Sequence, residues 1–172
     1  VKGILSAFRE AGFYTAYITN QPGNHSYVDF FAMQGDEHHP IRKELRKTKR
    51  RLYDSDMLPY LSRLMASDHA KLFVVLHTYG SHFSYRDRYP QEEGFFPIDR
   101  RYSGSKADSL MLRNAYDNAI RQTDKFITSV IDMLASGDRA ASMLYISDHG
   151  EDVFDDDRER FLHSSPDVSY YQ

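Results

Sequence analysis

The chain has 172 residues, a formal net charge of -3, a charged fraction of 27% and no cysteine. Its length suits one domain with a sizeable core, and the small net charge gives no overall reason to expect a nucleic-acid partner. The lack of cysteine excludes disulfides and thiolate zinc sites, and since no apolar run approaches about 18 residues, the sequence predicts no membrane-spanning helix.

The first predicted elements form an α/β unit. Apolar residues recur at helical spacing between residues 4 and 11, and Gly12 follows as a C-terminal cap. Phe13 to Thr19 is rich in aromatic and β-branched residues and is predicted to be a strand. The order of helix, glycine and strand indicates the α/β class. Asn20 follows at the carboxyl end of this strand, where it either makes the turn, which we favour, or contacts a substrate.

The segment Arg42–Arg51 is strongly basic. Such a run can bind anionic lipid or nucleic acid, but it lacks interleaved aromatic residues, and we favour a solvated face. The neighbouring histidines His38 and His39 have no evident third ligand, so they are a weak indication of a metal site.

A second predicted strand delivers histidines at its carboxyl end. After a helix that opens near Asp54, the apolar run Leu72–Leu76 has the composition of a strand buried on both faces. His77 follows this strand directly and is interpreted as a satisfied core histidine. His82 lies beyond Gly80, in a loop, and is the better candidate to face a pocket.

The longest predicted element is a helix. Its apolar stripe runs from Leu112 to Leu134 and ends before Gly137. A short apolar strand, Leu144–Ser147, is predicted to follow it.

Directly after this strand come Asp148, His149 and Gly150. Adjacent side chains on an extended strand point to opposite faces, so the two polar groups converge on one ion only if the chain turns, and glycine permits that turn. A carboxylate and an imidazole are common zinc ligands, and open α/β sheets place ligands at carboxyl ends of strands. The alternative is a loop-capping Asp beside a solvated His. His163 lies in a loop predicted to fold back over Asp148.

Six blocks of the sequence occur in the order found in a known family. These blocks are GFYTAYITNQ (Gly12–Gln21), YDSDMLPYL (Tyr53–Leu61), VVLHTYGSHFSYRDRYP (Val74–Pro90), NAYDNAI (Asn114–Ile120), YISDHGE (Tyr145–Glu151) and FLHS (Phe161–Ser164). They resemble the phosphoethanolamine transferases of Gram-negative bacteria, which belong to the sulfatase and alkaline-phosphatase superfamily.

The resemblance implies a three-layer α/β/α sandwich of the alkaline-phosphatase and sulfatase type. Residues 1–172 would be a single, partial catalytic domain, truncated at both ends. In the family this domain is periplasmic and follows transmembrane helices, so we expect attachment to the inner membrane of a Gram-negative bacterium through helices outside this sequence.

The resemblance also implies site residues. Asp148 and His149 match the family's zinc-binding pair, which with an upstream glutamate holds a threonine nucleophile, and both upstream residues would precede Val1. His82 and His163 match catalytic histidines that bind the substrate phosphate or a second zinc, so one or two zinc ions are expected. Asn20 is a further candidate substrate contact.

The implied reaction moves phosphoethanolamine from phosphatidylethanolamine, through the threonine, to a lipopolysaccharide or other glycan acceptor, and it involves no nucleic acid. The chain departs from the family at Phe83-Ser84, where Gly-Pro is usual, and at Ser164, where glycine is usual. The alternatives are a sulfatase or phosphohydrolase of the same superfamily, and a non-catalytic module that binds anionic lipid or nucleic acid through Arg42–Arg51.

Overall fold

The fold was analysed in a computed structural model that describes residues 1–23, 27–48, 50–98, 105–154 and 161–162. The chain forms two compact units, Val1–Tyr79 and Gly80–Gln172. Each unit is described by itself below.

The first unit is built on a parallel sheet. Its helices are α1 (Ile4–Glu10), α2 (Val28–Ala32), α3 (Ile41–Glu44) and α4 (Leu58–Met65), and its strands are β1 (Tyr14–Thr19), β2 (Glu37–Pro40) and β3 (Leu72–His77). The strand order is β2-β1-β3, and both neighbours run parallel to β1. The central position of β1 explains why Ala16 and Ile18 are fully buried.

Helices cover both faces of this sheet. On one face the ring of Phe8 in α1 stacks on Phe73 of β3, with 3.7 Å between the ring centroids. On the opposite face Tyr60 and Arg63 of α4 reach residues of β2, and the ring of Tyr60 lies 5.0 Å from that of His39. The first unit is therefore a layer of sheet between two layers of helix, which confirms the α/β fold class.

Several local predictions are confirmed in this unit. The predicted first helix and first strand are α1 and β1, and Gly12 between them has φ of 82°, a conformation that glycine adopts without strain. The predicted helix near residue 54 begins as a 3-10 turn, Asp54–Met57, and continues as α4.

The structure differs from the sequence prediction at two strands of this unit. Strand β2 was not predicted, because its sequence, EHHP, has neither apolar alternation nor β-branched residues; it forms through main-chain pairing with β1. Strand β3 was expected to be buried on both faces, yet all six of its residues are only half-buried. The reason is its position at the edge of the described sheet, which leaves one side without a paired strand.

The second unit contains the long predicted helix, α5 (Ser105–Ala135). Short 3-10 turns at Tyr85–Asp87 and Gln91–Glu93 precede it, and a small hairpin of β4 (Asp152–Val153) and β5 (Phe161–Leu162) follows. Its core is made by the side chains of Tyr85, Tyr89, Ala115, Ala119 and Val153.

The strand predicted at Leu144–Ser147 is not formed. Leu144 is 87% exposed and Ile146 is 80% exposed, and no described residue pairs with this segment. Apolar residues form a strand only when a neighbouring strand supplies hydrogen bonds and cover, and the segment has neither here. Asp148 and His149 therefore do not stand at the carboxyl end of a strand. Within the described residues, no helix is long and apolar enough to cross a membrane.

Candidate functional site

The chain turns sharply at the Asp148-His149 pair. The Asp148 carboxylate accepts a hydrogen bond from the main-chain N–H of His149 at 3.1 Å, and the Ser147 hydroxyl donates to the carbonyl oxygen of His149 at 2.6 Å. No described strand pairs with this segment, and these two local bonds hold its conformation instead. They hold the turn that allows the adjacent side chains of Asp148 and His149 to point toward one ion.

The imidazole of His149 is oriented by its own neighbour. Its Nδ1 lies 2.8 Å from the carbonyl oxygen of Gly150. Because a carbonyl only accepts, Nδ1 carries the hydrogen and Nε2 carries the lone pair of the neutral ring. Metal-binding histidines in general donate their second nitrogen in this way.

The remaining nitrogen points toward the carboxylate. Nε2 of His149 lies 3.8 Å from Oδ2 of Asp148, and the two side chains are 37% and 88% exposed, respectively. Two ligands of one tetrahedral zinc ion stand about 3.4 Å apart, so a small side-chain rotation lets both atoms bind one ion. The pair thus fits as part of a zinc site. No group of three potential ligands that could hold a metal exists among the described residues, so the pair supplies only part of a complete coordination shell.

His82 adopts the same tautomer in an exposed loop of the second unit. Its Nδ1 lies 2.6 Å from the carbonyl oxygen of Phe83, so its Nε2 also carries the lone pair. Arg88 fixes this loop by donating to the carbonyl oxygens of His82 at 2.7 Å and Phe83 at 3.1 Å. The imidazole is therefore held by a main-chain contact at an exposed position.

Asn20 has the opposite environment, at the carboxyl end of β1. Its side chain is 1% exposed, and its Nδ2 donates to Oδ1 of Asp54 at 2.9 Å. The same Asp54 oxygen accepts the N–H of Tyr79 at 2.8 Å, and Nε of Arg42 donates to the carbonyl oxygen of Asn20. Oδ1 of Asn20 is buried and has no hydrogen-bond partner within the described residues. Asn20 thus lies directly after the last residue of β1, where the sequence placed it.

His77 lies at the carboxyl end of β3, beside the carboxyl end of β1. Its Nδ1 lies 2.9 Å from the hydroxyl of Thr19, which also accepts the N–H of Gln21 at 3.1 Å. The ring is therefore satisfied, as interpreted, but His77 is half-buried at the end of an edge strand and not in the core. A cavity of about 10 Å³, the size of one water molecule, lies beside it and is lined by Thr19, Gln21, Pro22, Val28, Asp29 and His77.

The structure thus separates the predicted site residues into three groups. Asn20 is in the first unit, whereas His82, Asp148 and His149 are in the second, and His163 lies outside the described residues. Sequence reasoning missed Arg42, which was assigned to a solvated basic run. Its guanidinium instead lies over the ring of Tyr79, at 4.8 Å from the centroid. No periodicity or spacing in the sequence distinguishes it from its basic neighbours.

A second polar cluster joins β2 to α3 and α4. Glu37 accepts hydrogen bonds from Arg63, and its other contacts are His39, at 2.6 Å, and the Tyr14 hydroxyl, at 2.8 Å. The Arg63 guanidinium is the main cause that lowers the pKa of Glu37 to about 2, and His39 and Tyr14 act in the same direction against burial. Nδ1 of His39 lies 3.1 Å from the carboxylate of Glu44. This cluster links elements of the fold.

Comparison with known proteins places these observations in a family. The Sulfatase family model matches residues 1–171. The phosphoethanolamine transferase CptA of Salmonella typhimurium is 32% identical over 157 residues, which are 88% of this chain and 27% of that protein. The phosphoethanolamine transferase EptC of Escherichia coli K12 is 29% identical over the same shares. The chain therefore spans about a quarter of the length of these curated relatives.

A solved structure agrees with this relationship. The C-terminal periplasmic domain of EptC from Escherichia coli, determined in complex with zinc, superposes with a TM-score of 0.81 at 27% identity, over 93% of this chain and 46% of that one. The fold, the match across nearly the whole sequence and the similarity to these transferases lead to one conclusion: the chain belongs to the Sulfatase family, and its relatives within that family are phosphoethanolamine transferases.

Proposed function

We propose that this chain is part of the periplasmic catalytic domain of a zinc-dependent transferase that moves phosphoethanolamine from phosphatidylethanolamine to a lipopolysaccharide acceptor, either lipid A or a core sugar. The observation that carries the proposal is the orientation of Asp148 and His149. Oδ2 and Nε2 face each other at 3.8 Å on an exposed turn, and Nδ1 is held by a main-chain carbonyl. The similarity to named phosphoethanolamine transferases, one of them solved with zinc, supports the same role.

Asp148 and His149 would hold one zinc ion, together with ligands from residues before Val1. Zinc, when bound, lowers the pKa of a coordinated hydroxyl and stabilises negative charge on a transferring phosphoryl group. The Gly150 carbonyl keeps the His149 ring in the binding tautomer, and the Ser147 hydroxyl supports the turn. We further propose that the threonine nucleophile and the upstream glutamate lie before Val1.

His82 and His163 would act on the phosphoryl group. Their imidazoles would hold its oxygens, or a second zinc ion, and would pass a proton to the leaving alcohol. The exposed edge of His82 and its fixed tautomer support this role. For Asn20 we propose a turn-making role first, because its side chain is buried against Asp54; substrate contact is the alternative.

The location and partners follow from the same proposal. The donor is a membrane lipid, so we propose that helices outside this sequence attach the domain to the periplasmic side of the inner membrane of a Gram-negative bacterium. A lipopolysaccharide or another glycan would be the acceptor, and nucleic acid would not be a partner.

Zinc affinity tests the proposal. We would measure zinc binding by calorimetry for this chain, for a chain extended upstream to include the proposed threonine and glutamate, and for Asp148→Ala and His149→Ala in the extended chain. Asp138→Ala, which removes an exposed carboxylate after α5, is the matched control. We expect the extended chain to bind at least about tenfold more tightly than either alanine variant, since one ligand is lost in each. Equal affinity of the extended chain and its Asp148→Ala and His149→Ala variants would contradict the proposal.

A sulfatase or phosphohydrolase is the second candidate, because the matching family model is Sulfatase. The extended chain distinguishes the two by its products. A transferase should release only about one equivalent of diacylglycerol per enzyme from phosphatidylethanolamine without an acceptor, as the threonine is loaded, and should turn over further only as it labels an acceptor. A hydrolase should release phosphate or sulfate continuously from a soluble ester with no acceptor. Hydrolysis with no transfer would favour the second candidate.

A further inference from the structure

Arg88 makes two hydrogen bonds to the loop that carries His82. Its Nε donates to the carbonyl oxygen of His82 at 2.7 Å, and its Nη2 donates to the carbonyl oxygen of Phe83 at 3.1 Å. The donors of a guanidinium lie in one rigid plane, so two bonds from one group fix both acceptors relative to each other. Arg88 therefore holds two successive peptide groups of the loop in one arrangement.

The second of these carbonyl groups also contacts the imidazole. The Phe83 oxygen accepts the Nδ1 hydrogen of His82 at 2.6 Å as well as a hydrogen of Nη2 of Arg88. A carbonyl oxygen has two lone pairs, so both bonds can form at once. The atom that decides the tautomer of His82 is thus the atom that Arg88 keeps in place.

The Nδ1–H tautomer of His82 needs support from the protein. A neutral imidazole in water favours the Nε2–H form, and in a protein the hydrogen bonds around the ring decide which nitrogen carries the hydrogen. His82 is exposed, so without its main-chain contact the ring would follow the preference that it has in water. With the hydrogen held on Nδ1, Nε2 keeps a lone pair that can bind a metal ion or accept a proton.

Arg88 itself extends from a rigid segment. Its N–H donates to the carbonyl oxygen of Tyr85 at 2.9 Å, at the end of the 3-10 turn Tyr85–Asp87. Tyr85 is 1% exposed and Tyr89 is 2% exposed, and both belong to the core of the second unit. The ring of Tyr116 in α5 lies 5.1 Å from that of Tyr85. Packed residues on both sides in the sequence therefore fix the position from which the Arg88 side chain extends.

We propose that Arg88 is a positioning residue for His82. It keeps the imidazole in the Nδ1–H tautomer, with Nε2 ready to bind zinc or to take a proton, and it acts through the Phe83 carbonyl without contacting the substrate. The use of this contact in the reaction rests on the proposed function, in which His82 acts on the phosphoryl group. The effect of Arg88 on the ring does not rest on it and is measured separately.

A different role for Arg88 would be to attract the substrate phosphate by its charge. Two donors of its guanidinium are bonded to carbonyl oxygens, which favours positioning. Arg88→Lys separates the two roles, because lysine keeps the positive charge but does not reproduce two bonds from a rigid plane. Positioning predicts that Arg88→Lys behaves like Arg88→Gln, whereas attraction by charge predicts that it behaves like the unchanged protein.

The nitrogen chemical shifts of the His82 ring test the positioning directly. We would record them by NMR for the isotope-labelled chain without zinc at about pH 8, where an ordinary imidazole is neutral, and assign them with His82→Gln. We expect the unchanged chain to show mainly the Nδ1–H form, and Arg88→Gln and Arg88→Lys to show mainly Nε2–H. Arg86→Gln is the matched control, because Arg86 lies in the same turn and donates to Gln91. It should keep the Nδ1–H form.

Two results of the NMR measurement would overturn the proposal. An Nε2–H ring in the unchanged chain would do so without any variant. An unaltered ring in Arg88→Gln would show that the tautomer does not depend on Arg88. Circular dichroism should first show that each variant is folded, and Arg88→Lys replaces Arg88→Gln if that one is not.

Transfer by the chain extended upstream tests the use of this contact in the reaction. We expect Arg88→Gln to lower kcat about tenfold or more and to change KM less than about twofold, because a misplaced proton-transfer group affects the transition state more than substrate binding. Arg86→Gln should match the unchanged protein. The double variant His82→Gln/Arg88→Gln should be no slower than His82→Gln alone, since Arg88 acts only through His82.

The remaining results separate this proposal from the proposed function. Losses that multiply in the double variant would overturn the positioning role, since Arg88 would then act independently of His82. Full activity of His82→Gln would overturn the use of His82 in the reaction, and with it that of Arg88. No transfer by the extended chain, together with a tautomer that depends on Arg88 as expected, would overturn the proposed function and support the effect of Arg88 on the ring.

Discussion

The carboxyl end of β1 and the turn at Asp148 both present polar side chains, but they use them differently. At the strand end, Asn20 and Asp54 are bonded to each other and to the main chain. At the turn, Asp148 and His149 are exposed, and Oδ2 of Asp148 faces Nε2 of His149 at 3.8 Å. Buried polar groups must be paired within the protein, whereas exposed ones can bind an ion. The comparison indicates that the first region stabilises the fold, and it is consistent with our proposal that the second binds a zinc ion.

The largest expected effect is at Asp54. Asp54→Ala would leave the Asn20 amide and the Tyr79 N–H without their acceptor, and we expect the free energy of unfolding to fall by about 2–3 kcal/mol. Urea denaturation followed by circular dichroism measures it. Ser55→Ala, at the exposed neighbouring position, is the control. A loss no larger than that of the control would mean that this network is not structural.

The polar cluster at Glu37 gives a pH-dependent test. The pKa of Glu37 is lowered from its ordinary value of 4.5 to about 2. The contribution of this carboxylate to stability is therefore complete above pH 4.5 and is lost as pH falls from 4.5 toward 2. We expect this contribution to be about 1–2 kcal/mol, after allowance for solvent screening at Arg63. Denaturation at several pH values should show a shallower acid slope for Glu37→Gln. An unchanged slope would show that Glu37 is not stabilised as a carboxylate.

A smaller effect is expected at Thr19. Thr19→Val keeps the shape of the side chain but removes the hydroxyl that contacts His77 and accepts the N–H of Gln21, and we expect a loss of about 1 kcal/mol. Thr48→Val, which removes the hydroxyl bond to the Leu45 carbonyl at an exposed position, is the matched control. Thermal unfolding of both variants measures the difference, and an equal loss would argue against a special role for the Thr19–His77 pair.

The smallest effect on stability is expected at the turn itself. Asp148→Ala and His149→Ala should change the free energy of unfolding by less than about 0.5 kcal/mol in the absence of metal, since both side chains are solvent-exposed. The same denaturation measurement checks this. A large loss would contradict the contrast between the two regions, because it would give the pair a structural role.

Local pattern was enough to predict much of this protein. Helix α1, strand β1, the left-handed glycine at position 12 and helix α5 were all predicted, because each is specified by neighbouring residues in the sequence. The Asp148-His149 pair was also identified from sequence, although the supporting strand was not formed. Its turn is held by hydrogen bonds of Ser147 and Asp148 to the main chain of His149, so it needs no strand.

Contacts between distant residues decided the rest. Strand β2 forms because its main chain pairs with that of β1. The polar sequence EHHP gives no local signal of this pairing. The buried side chain of Asn20 is bonded to Asp54, which lies 34 residues away along the chain. Arg42 differs from its solvated basic neighbours because it is bonded to Asn20, which lies 22 residues away. Residue type and spacing by themselves determined the family and the elements α1, β1, α4, β3 and α5, because these follow from local periodicity and motif. Only the tertiary structure decided which polar groups form hydrogen bonds inside the fold and which are exposed. The reason is that the burial of a residue depends on the segments that pack against it.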